Sequence, residues 1–156
     1  MHLAVDAGTG EIVAHVLTEG TADDAAQVPD LLRTVEGTIG RLTADGAYDG
    51  EPTYAASRAR QPEPPPDVVV PPRASAVPSR ADPAQHTARD RHVRFIAEEG
   101  RMEWQRLTGY GRRSLAETPV GRYKHLIGPR LRARTFHGQQ GEAALILPSL
   151  TAQTCA

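Results

Sequence analysis

The first segments of the chain show the periodicity of strands. Apolar residues alternate with others over residues 2–6, and a β-branched, apolar segment covers residues 11–17. Residues 7–10 between them (AGTG) are typical of a turn. Two short apolar segments joined by a Gly-containing turn predict an antiparallel β-hairpin at the start of the chain.

Helical periodicity begins after the hairpin. Apolar side chains recur three and four positions apart until Gly37, at Ala25, Val28, Leu31, Leu32 and Val35. This spacing predicts a helix that buries one face and starts at the acidic segment 21–24. A further apolar strand is expected over residues 39–44, and a second helix over residues 51–60.

Proline and glycine divide the second half of the chain. Four prolines exclude a helix interior or a central strand over residues 61–66. A brief buried strand is expected at 67–70 and a loop at 71–85, so that residues 61–88 form a Pro-rich strand and loop insertion. Residues 89–108 predict a helix in two pieces, broken near Gly100.

The remaining segments complete the expected fold. An S-x-x-E signature from Ser114 to Glu117 predicts a helix over residues 114–127, ended by a Gly-Pro pair at 128–129. A last helix is expected over residues 139–147. The order of elements predicts an α/β fold with a mixed sheet flanked by helices.

Composition narrows the class of protein. A length of 156 residues suits one domain. The single cysteine, Cys155, excludes a disulfide scaffold and a multi-cysteine zinc site. Because no apolar run approaches the roughly 20 residues that span a bilayer, we expect a soluble, cytoplasmic chain without a membrane partner. Trp104, the only tryptophan, is expected in the core.

The net charge of −1 conceals two opposed regions. Residues 1–56 carry ten acidic and two basic residues, a net charge of −8. Residues 89–134 carry twelve basic and five acidic residues, a net charge of +7. Such asymmetry indicates a polyanion as the partner of the basic region. A GC-rich genome explains why almost every basic residue is Arg. It does not explain why the basic residues cluster in one part of the chain.

Two acidic residues follow the strand at 39–44. Asp45 stands where this strand meets a Gly-rich turn, a position at which open α/β sheets gather functional groups. Turn formation alone would also account for an Asp there. For Asp49, the stronger interpretation is the N-cap of the following helix.

The most specific pattern is Y-x2-R-x3-E-x6-K, formed by Tyr110, Arg113, Glu117 and Lys124. On a helix Arg113 and Glu117 are neighbours, and Lys124, the only Lys, lies two turns further on. Glu117 has two interpretations: the acidic residue of a capping box, or a metal ligand within a cationic, phosphate-binding face. A salt-bridged exposed helix is the structural alternative for the whole pattern.

Residues 110–124 resemble the YREK signature of bacterial insertion-sequence transposases of the DDE type, whose catalytic domain has an RNase H-like fold. Residues 42–50 (LTADGAYDG) resemble the block around that family's second catalytic aspartate. Residues 2–24 resemble its hairpin and helix entry. The resemblance covers about residues 2–146, and the three blocks occur in the family's order.

The resemblance implies a DNA transposase that cleaves transposon ends and joins them to target DNA. Asp45 and Glu117 would be catalytic Mg²⁺ ligands in a two-metal site. Tyr110, Arg113 and Lys124 would bind phosphates of the transposon end. The implied partners are the transposon ends and target DNA, with a homodimer on DNA as an open question.

The chain departs from the family pattern at both ends. The family places its first catalytic Asp on a strand ahead of the hairpin, so residues 1–146 are expected to be a truncated domain without that strand. Asp6 is the less favoured substitute for this Asp. Residues 147–156 resemble nothing in the family and suggest a frameshifted tail. Pro119 also leaves the orientation of Glu117 open.

These departures leave more than one function open. The first expectation is a transposase fragment that is inactive as it stands, because two carboxylates hold metal poorly. The alternative is a non-catalytic, DNA-binding remnant of a decayed transposase gene. A nuclease of the same fold that never transposes is a weaker third hypothesis.

Overall fold

A computed structural model describes residues 1–18, 21–80, 82, 84, 86–117, 121, 125 and 131–151. The helices and strands follow in the order β1 (His2–Val5), β2 (Ile12–Val16), α1 (Val28–Thr34), β3 (Arg41–Thr43), α2 (Glu51–Arg60), β4 (Asp67–Val69), α3 (Ala88–Glu99), α4 (Arg101–Thr108) and α5 (Phe136–Thr151). Short 3-10 helices cover Ala25–Gln27, Gly46–Tyr48 and Tyr110–Ala116. The predicted α/β class is confirmed.

The predicted hairpin is confirmed by the antiparallel pairing of β1 with β2. His2 lies opposite Val16 and Ala4 opposite Ala14, with an irregularity between Ala4 and Val5. The turn is closed by Asp6, whose carboxylate accepts hydrogen bonds from the backbone N–H groups of residues 8 and 9 at 2.7 and 3.1 Å. The Asp6 side chain therefore serves the turn of the hairpin.

The helix predicted from residue 25 is confirmed as a 3-10 turn that continues into α1. Its spacing buries one face, formed by Ala25, Val28, Leu31 and Leu32. The carboxylate of Asp23 accepts a hydrogen bond from the N–H of Ala26 at 3.2 Å, which helps to start the helical turn. The buried face of α1 packs against α2 and β2.

The second sheet is parallel and lies over the main core. In β3 and β4, Arg41 is opposite Asp67 and Leu42 is opposite Val68. The described residues therefore form two separate two-stranded sheets, one antiparallel and one parallel, where a single mixed sheet was expected. Val68 of β4 belongs to a buried core cluster with Tyr54 and Val70.

Tyr48, in the turn after β3, contacts the hairpin. The ring of buried His2 on β1 has Nδ1 3.0 Å from the Tyr48 hydroxyl and Nε2 2.9 Å from the Thr18 hydroxyl. Burial, with smaller contributions from Asp24 and Asp45, raises the pKa of Tyr48 to about 12. Tyr48 therefore stays protonated and joins the hairpin to the turn that follows β3.

Gly100 separates α3 from α4, as the sequence predicts. Its φ of 88° lies in the region that favours glycine, so the chain changes direction there at little cost. A capping box of Thr87 and Asp90 starts α3. Trp104 is 1% exposed, which confirms its expected place in the core.

Three local predictions are corrected. The Ser114–Glu117 capping box does not form: residues 110–116 are a 3-10 helix, and the Ser114 hydroxyl donates to the Gly111 carbonyl at 3.0 Å. Gly50, not Asp49, occupies the N-cap of α2. The last helix, expected over 139–147, extends over Phe136–Thr151.

Several predictions concern residues outside the described part of the chain. They are Lys124, Pro119, the end of the helix predicted over 114–127 with its Gly-Pro stop, and residues 152–156 of the tail. Among the helices that the structure describes, none is long and apolar enough to cross a membrane.

Candidate active site

The site forms around Asp45, two residues beyond the end of β3. Its backbone is extended, and its Oδ1 accepts a hydrogen bond from the N–H of Ala47 at 3.0 Å, which starts the 3-10 helix Gly46–Tyr48. The second carboxylate oxygen, Oδ2, is left to face another part of the chain. The turn uses only Oδ1, so it leaves Oδ2 for a second interaction.

Gly46 allows this turn to lie against the chain that follows β4. A Cβ built on Gly46 would lie 3.3 Å from the carbonyl oxygen of Pro71, which is tighter than most such contacts. The Asp-Gly sequence at 45–46 therefore has a packing reason in addition to its turn chemistry.

Arg113 joins the two predicted acidic residues. Its Nη2 lies 3.5 Å from Asp45 Oδ2, and its Nη1 lies 3.3 Å from Glu117 Oε1. Asp45 and Arg113 are 68 positions apart, so the fold creates this arrangement. The three side chains are 44%, 38% and 65% exposed for Asp45, Arg113 and Glu117, so solvent and a large ligand can reach them.

The end of α4 places Arg113 opposite Asp45. Gly109, with a φ of 64°, ends α4 and leads directly into the 3-10 helix Tyr110–Ala116. The guanidinium of Arg41, at the start of β3, donates to the Thr108 carbonyl at 2.9 Å and pairs with Asp67 at 2.8 Å. Arg41 thus fixes the end of α4 beside the strand that precedes Asp45.

Tyr110 lies next to this group and packs against the core. Its ring centroid is 5.4 Å from that of Trp104, at an interplanar angle of 46°. Burial raises the pKa of the Tyr110 hydroxyl, against the opposing effect of Arg113, so the phenol is neutral at pH 7 and can donate a hydrogen bond. The structure thus brings together Asp45, Arg113, Glu117 and the adjacent Tyr110, whereas Lys124 lies outside the described residues.

A buried ion pair beneath the turn was not predicted from the sequence. The Asp49 side chain is 0% exposed, and Arg89 binds it through Nε at 2.7 Å and Nη2 at 2.9 Å. The N–H of Arg73 also donates to Asp49 Oδ2 at 3.0 Å. The hydrogen bonds that Arg89 donates to Asp49 raise the pKa of Arg89, against the opposing effect of burial. Asp49 therefore holds the turn to α3 and to the loop after β4, and Arg89 is not available to phosphates.

Asp90 makes a second buried anchor at the start of α3. Its carboxylate accepts hydrogen bonds from the N–H of Ser79 at 2.6 Å and from the N–H of Thr87 at 3.0 Å. Burial would raise the pKa of Asp90, but these hydrogen bonds, with further ones from the two hydroxyls, outweigh burial and lower its pKa to about 2. Asp90 thus fixes the loop at residue 79 on α3.

The basic region is partly neutralised by its own acidic residues. Arg94 pairs with Glu98, and Arg106 pairs with Glu103, in exposed contacts of neighbouring helical turns. Exposed pairs of this kind contribute little to stability and can exchange their partners. These arginines remain available to a polyanion, unlike Arg89.

The donor set limits what metal the site can hold. The described residues contain no group of three or more His, Cys, Asp or Glu side chains placed to bind a metal ion. Asp45 and Glu117 share one guanidinium, so their oxygens already surround a positive charge. By their chemistry, carboxylates are ligands that Mg²⁺ takes together with water and phosphate oxygens.

Comparison with known proteins identifies a family over almost the whole chain. Residues 1–151 match a family model described as a transposase DDE domain. The matched segment includes Asp45, Tyr110, Arg113, Glu117 and Lys124. No solved structure matches the chain significantly.

Proposed function

The chain belongs to the transposase DDE domain family, and we propose that it acts on DNA as a member of the branch with the YREK signature. The observation that carries the proposal is the contact of Arg113 with both Asp45 and Glu117. Two separate sequence blocks supplied these residues, and the folded chain brings them to one exposed place.

We assign separate roles to the two kinds of side chain. Asp45 and Glu117 are the Mg²⁺ ligands, and Tyr110, Arg113 and Lys124 bind phosphates of the transposon end. Asp45 is suited to its role because the N–H of Ala47 holds Oδ1 and leaves Oδ2 to the exposed contact with Arg113. Arg113 can bind a phosphate through two parallel hydrogen bonds, and Tyr110 can donate from its neutral hydroxyl.

The reaction of this proposal is hydrolysis at the transposon end, followed by attack of the freed 3′-OH on target DNA. Bound divalent ions would activate the nucleophile and stabilise the leaving oxygen. Arg113 would orient the phosphate beside Asp45 Oδ2. We further propose that residues 1–156 alone do not cleave DNA, since the described residues bring only two carboxylates together here.

A non-catalytic, DNA-binding remnant is the second candidate function. It is favoured by the absence, among the described residues, of a group of three or more metal-binding side chains. Both candidates require DNA binding through the exposed cations around Arg113. They differ in whether any form of this site cleaves a strand.

DNA binding is tested first, with a labelled random-sequence duplex and fluorescence anisotropy at several salt concentrations. We expect affinity to fall steeply with salt, and the slope of log K against log[salt] to decrease by about 1 in Arg113→Gln. Arg33→Gln, in the acidic half of the chain, is the matched control and should leave the slope unchanged. Affinity that does not respond to salt would refute the proposal.

Cleavage and joining are tested with Mg²⁺ and a plasmid substrate. We expect no strand cleavage by the 156-residue chain. Mg²⁺-dependent cleavage that disappears in Glu117→Gln would refute both the proposed inactivity and the non-catalytic remnant. The same result would support the role of Glu117 as a metal ligand. Analysis of the products for joined strands would then distinguish a transposase from a nuclease.

A further inference from the structure

Arg113 lies between the two carboxylates that the proposed function assigns to a divalent cation. Its guanidinium contacts Asp45 Oδ2 at 3.5 Å and Glu117 Oε1 at 3.3 Å, and so places one positive charge between two negative ones. The same guanidinium is the group assigned to a DNA phosphate. One guanidinium cannot serve both carboxylates and a phosphate at full strength.

We propose that Arg113 is an exchangeable counter-ion: it neutralises Asp45 and Glu117 in the free protein, and it moves to a DNA phosphate when these carboxylates hold a divalent cation. This inference rests on the proposed function of the site. It goes beyond it by coupling the binding of metal to the binding of DNA through one side chain.

The strength of the contacts suits an exchange. All three side chains are between one third and two thirds exposed, and both contacts are longer than a strong charged hydrogen bond. Exposed pairs contribute little to stability, so they can be replaced at small cost. Arg89 is the contrast within this chain, because its partner Asp49 is buried and held at 2.7 Å.

The electrostatics give the direction of the coupling. A divalent cation bound by Asp45 and Glu117 repels the guanidinium and removes its partners, which leaves Arg113 to a phosphate. Binding of DNA by Arg113, in turn, frees both carboxylates for the cation. Because coupling free energies are reciprocal, each ligand should strengthen the binding of the other.

The first test measures Mn²⁺ binding to the free protein, from the loss of the electron paramagnetic resonance signal of free Mn²⁺. We expect Arg113→Gln to bind Mn²⁺ about fivefold more tightly than the wild type, since the competing charge is gone. Adding Glu117→Gln to that variant should abolish the gain. Arg106→Gln, which removes a comparable exposed pair with Glu103, is the control and should change nothing.

The second test measures DNA affinity with and without Ca²⁺ at constant ionic strength. We expect Ca²⁺ to strengthen DNA binding by the wild type relative to Arg113→Gln, in which the coupling is lost. Unchanged Mn²⁺ affinity in Arg113→Gln would overturn the inference, as would an equal Ca²⁺ effect in both proteins. A chain that fails to bind DNA at any salt concentration would refute the proposed function. The Mn²⁺ affinity of Arg113→Gln would still test whether Arg113 acts as a counter-ion to the two carboxylates.

Discussion

Asp49→Ala should be among the most destabilising substitutions in the chain. It removes the only carboxylate that contacts Arg89 among the described residues, and it leaves the guanidinium partly buried, with 19% of the side chain exposed. Breaking a buried ion pair from one side costs about 3–5 kcal/mol. At about 2–4 °C per kcal/mol for a chain of this size, the melting temperature should fall by about 6–20 °C.

The single tryptophan, Trp104, provides the assay. It is 1% exposed, so its fluorescence should report the loss of the core during thermal or urea unfolding. Glu51→Ala is the control, because Glu51 pairs with Arg58 at 2.7 Å on the surface, where such pairs contribute at most about 1 kcal/mol.

Two outcomes would refute this reasoning about Asp49. One is an Asp49→Ala variant that loses no more stability than Glu51→Ala. The other concerns the double variant Asp49→Leu with Arg89→Met, which should regain most of the loss because apolar residues can replace a buried pair at little cost. A double variant as unstable as Asp49→Ala would show that the loss does not come from an unpaired charge.

Further predictions concern other buried groups and one close contact. The pKa of Asp90 is lowered to about 2, so its stabilising effect is present above pH 4 and lost as pH falls from about 4 to about 2. Asp90→Asn should cost about 2 kcal/mol at pH 7 by urea unfolding, and this difference from the wild type should shrink toward pH 2. Burial lowers the pKa of His92 below its ordinary 6.5, so His92→Gln should reduce the loss of stability that the wild type shows as pH falls from 7 to 5. Gly46→Ala should cost roughly 1 kcal/mol by the same assay, since its Cβ would press on the Pro71 carbonyl, whereas Gly40→Ala, with open space around it, should not.

Local patterns were sufficient to predict most helices. The helix expected over residues 51–60 is found as Glu51–Arg60, because proline near its start and acidic and basic residues at opposite ends define both limits. The break at Gly100 also followed from one residue with a positive φ. Each of these features depends on neighbours within a few positions.

Pairing over long distances could not be predicted in this way. The strands were identified, but their separation into two sheets depends on contacts between β3 and β4 across α2. Asp49 and Arg89 are 40 positions apart, and Asp49 had a plausible local explanation as an N-cap. The expected capping box at Ser114 failed because Gly109 turns the chain into a 3-10 helix before Ser114 is reached.

The candidate site likewise combines a local contact that the sequence predicted with a long-range contact that it did not. The sequence singled out Asp45, Arg113 and Glu117, and it predicted the proximity of Arg113 and Glu117 from their spacing. It did not predict that Arg113 would also contact Asp45. That contact underlies the exchange proposed for the arginine, in which the guanidinium that neutralises both acids competes with a divalent cation and is released to DNA. Substitution of Arg113 should therefore have opposite effects on the two ligands, with tighter metal binding and weaker DNA binding.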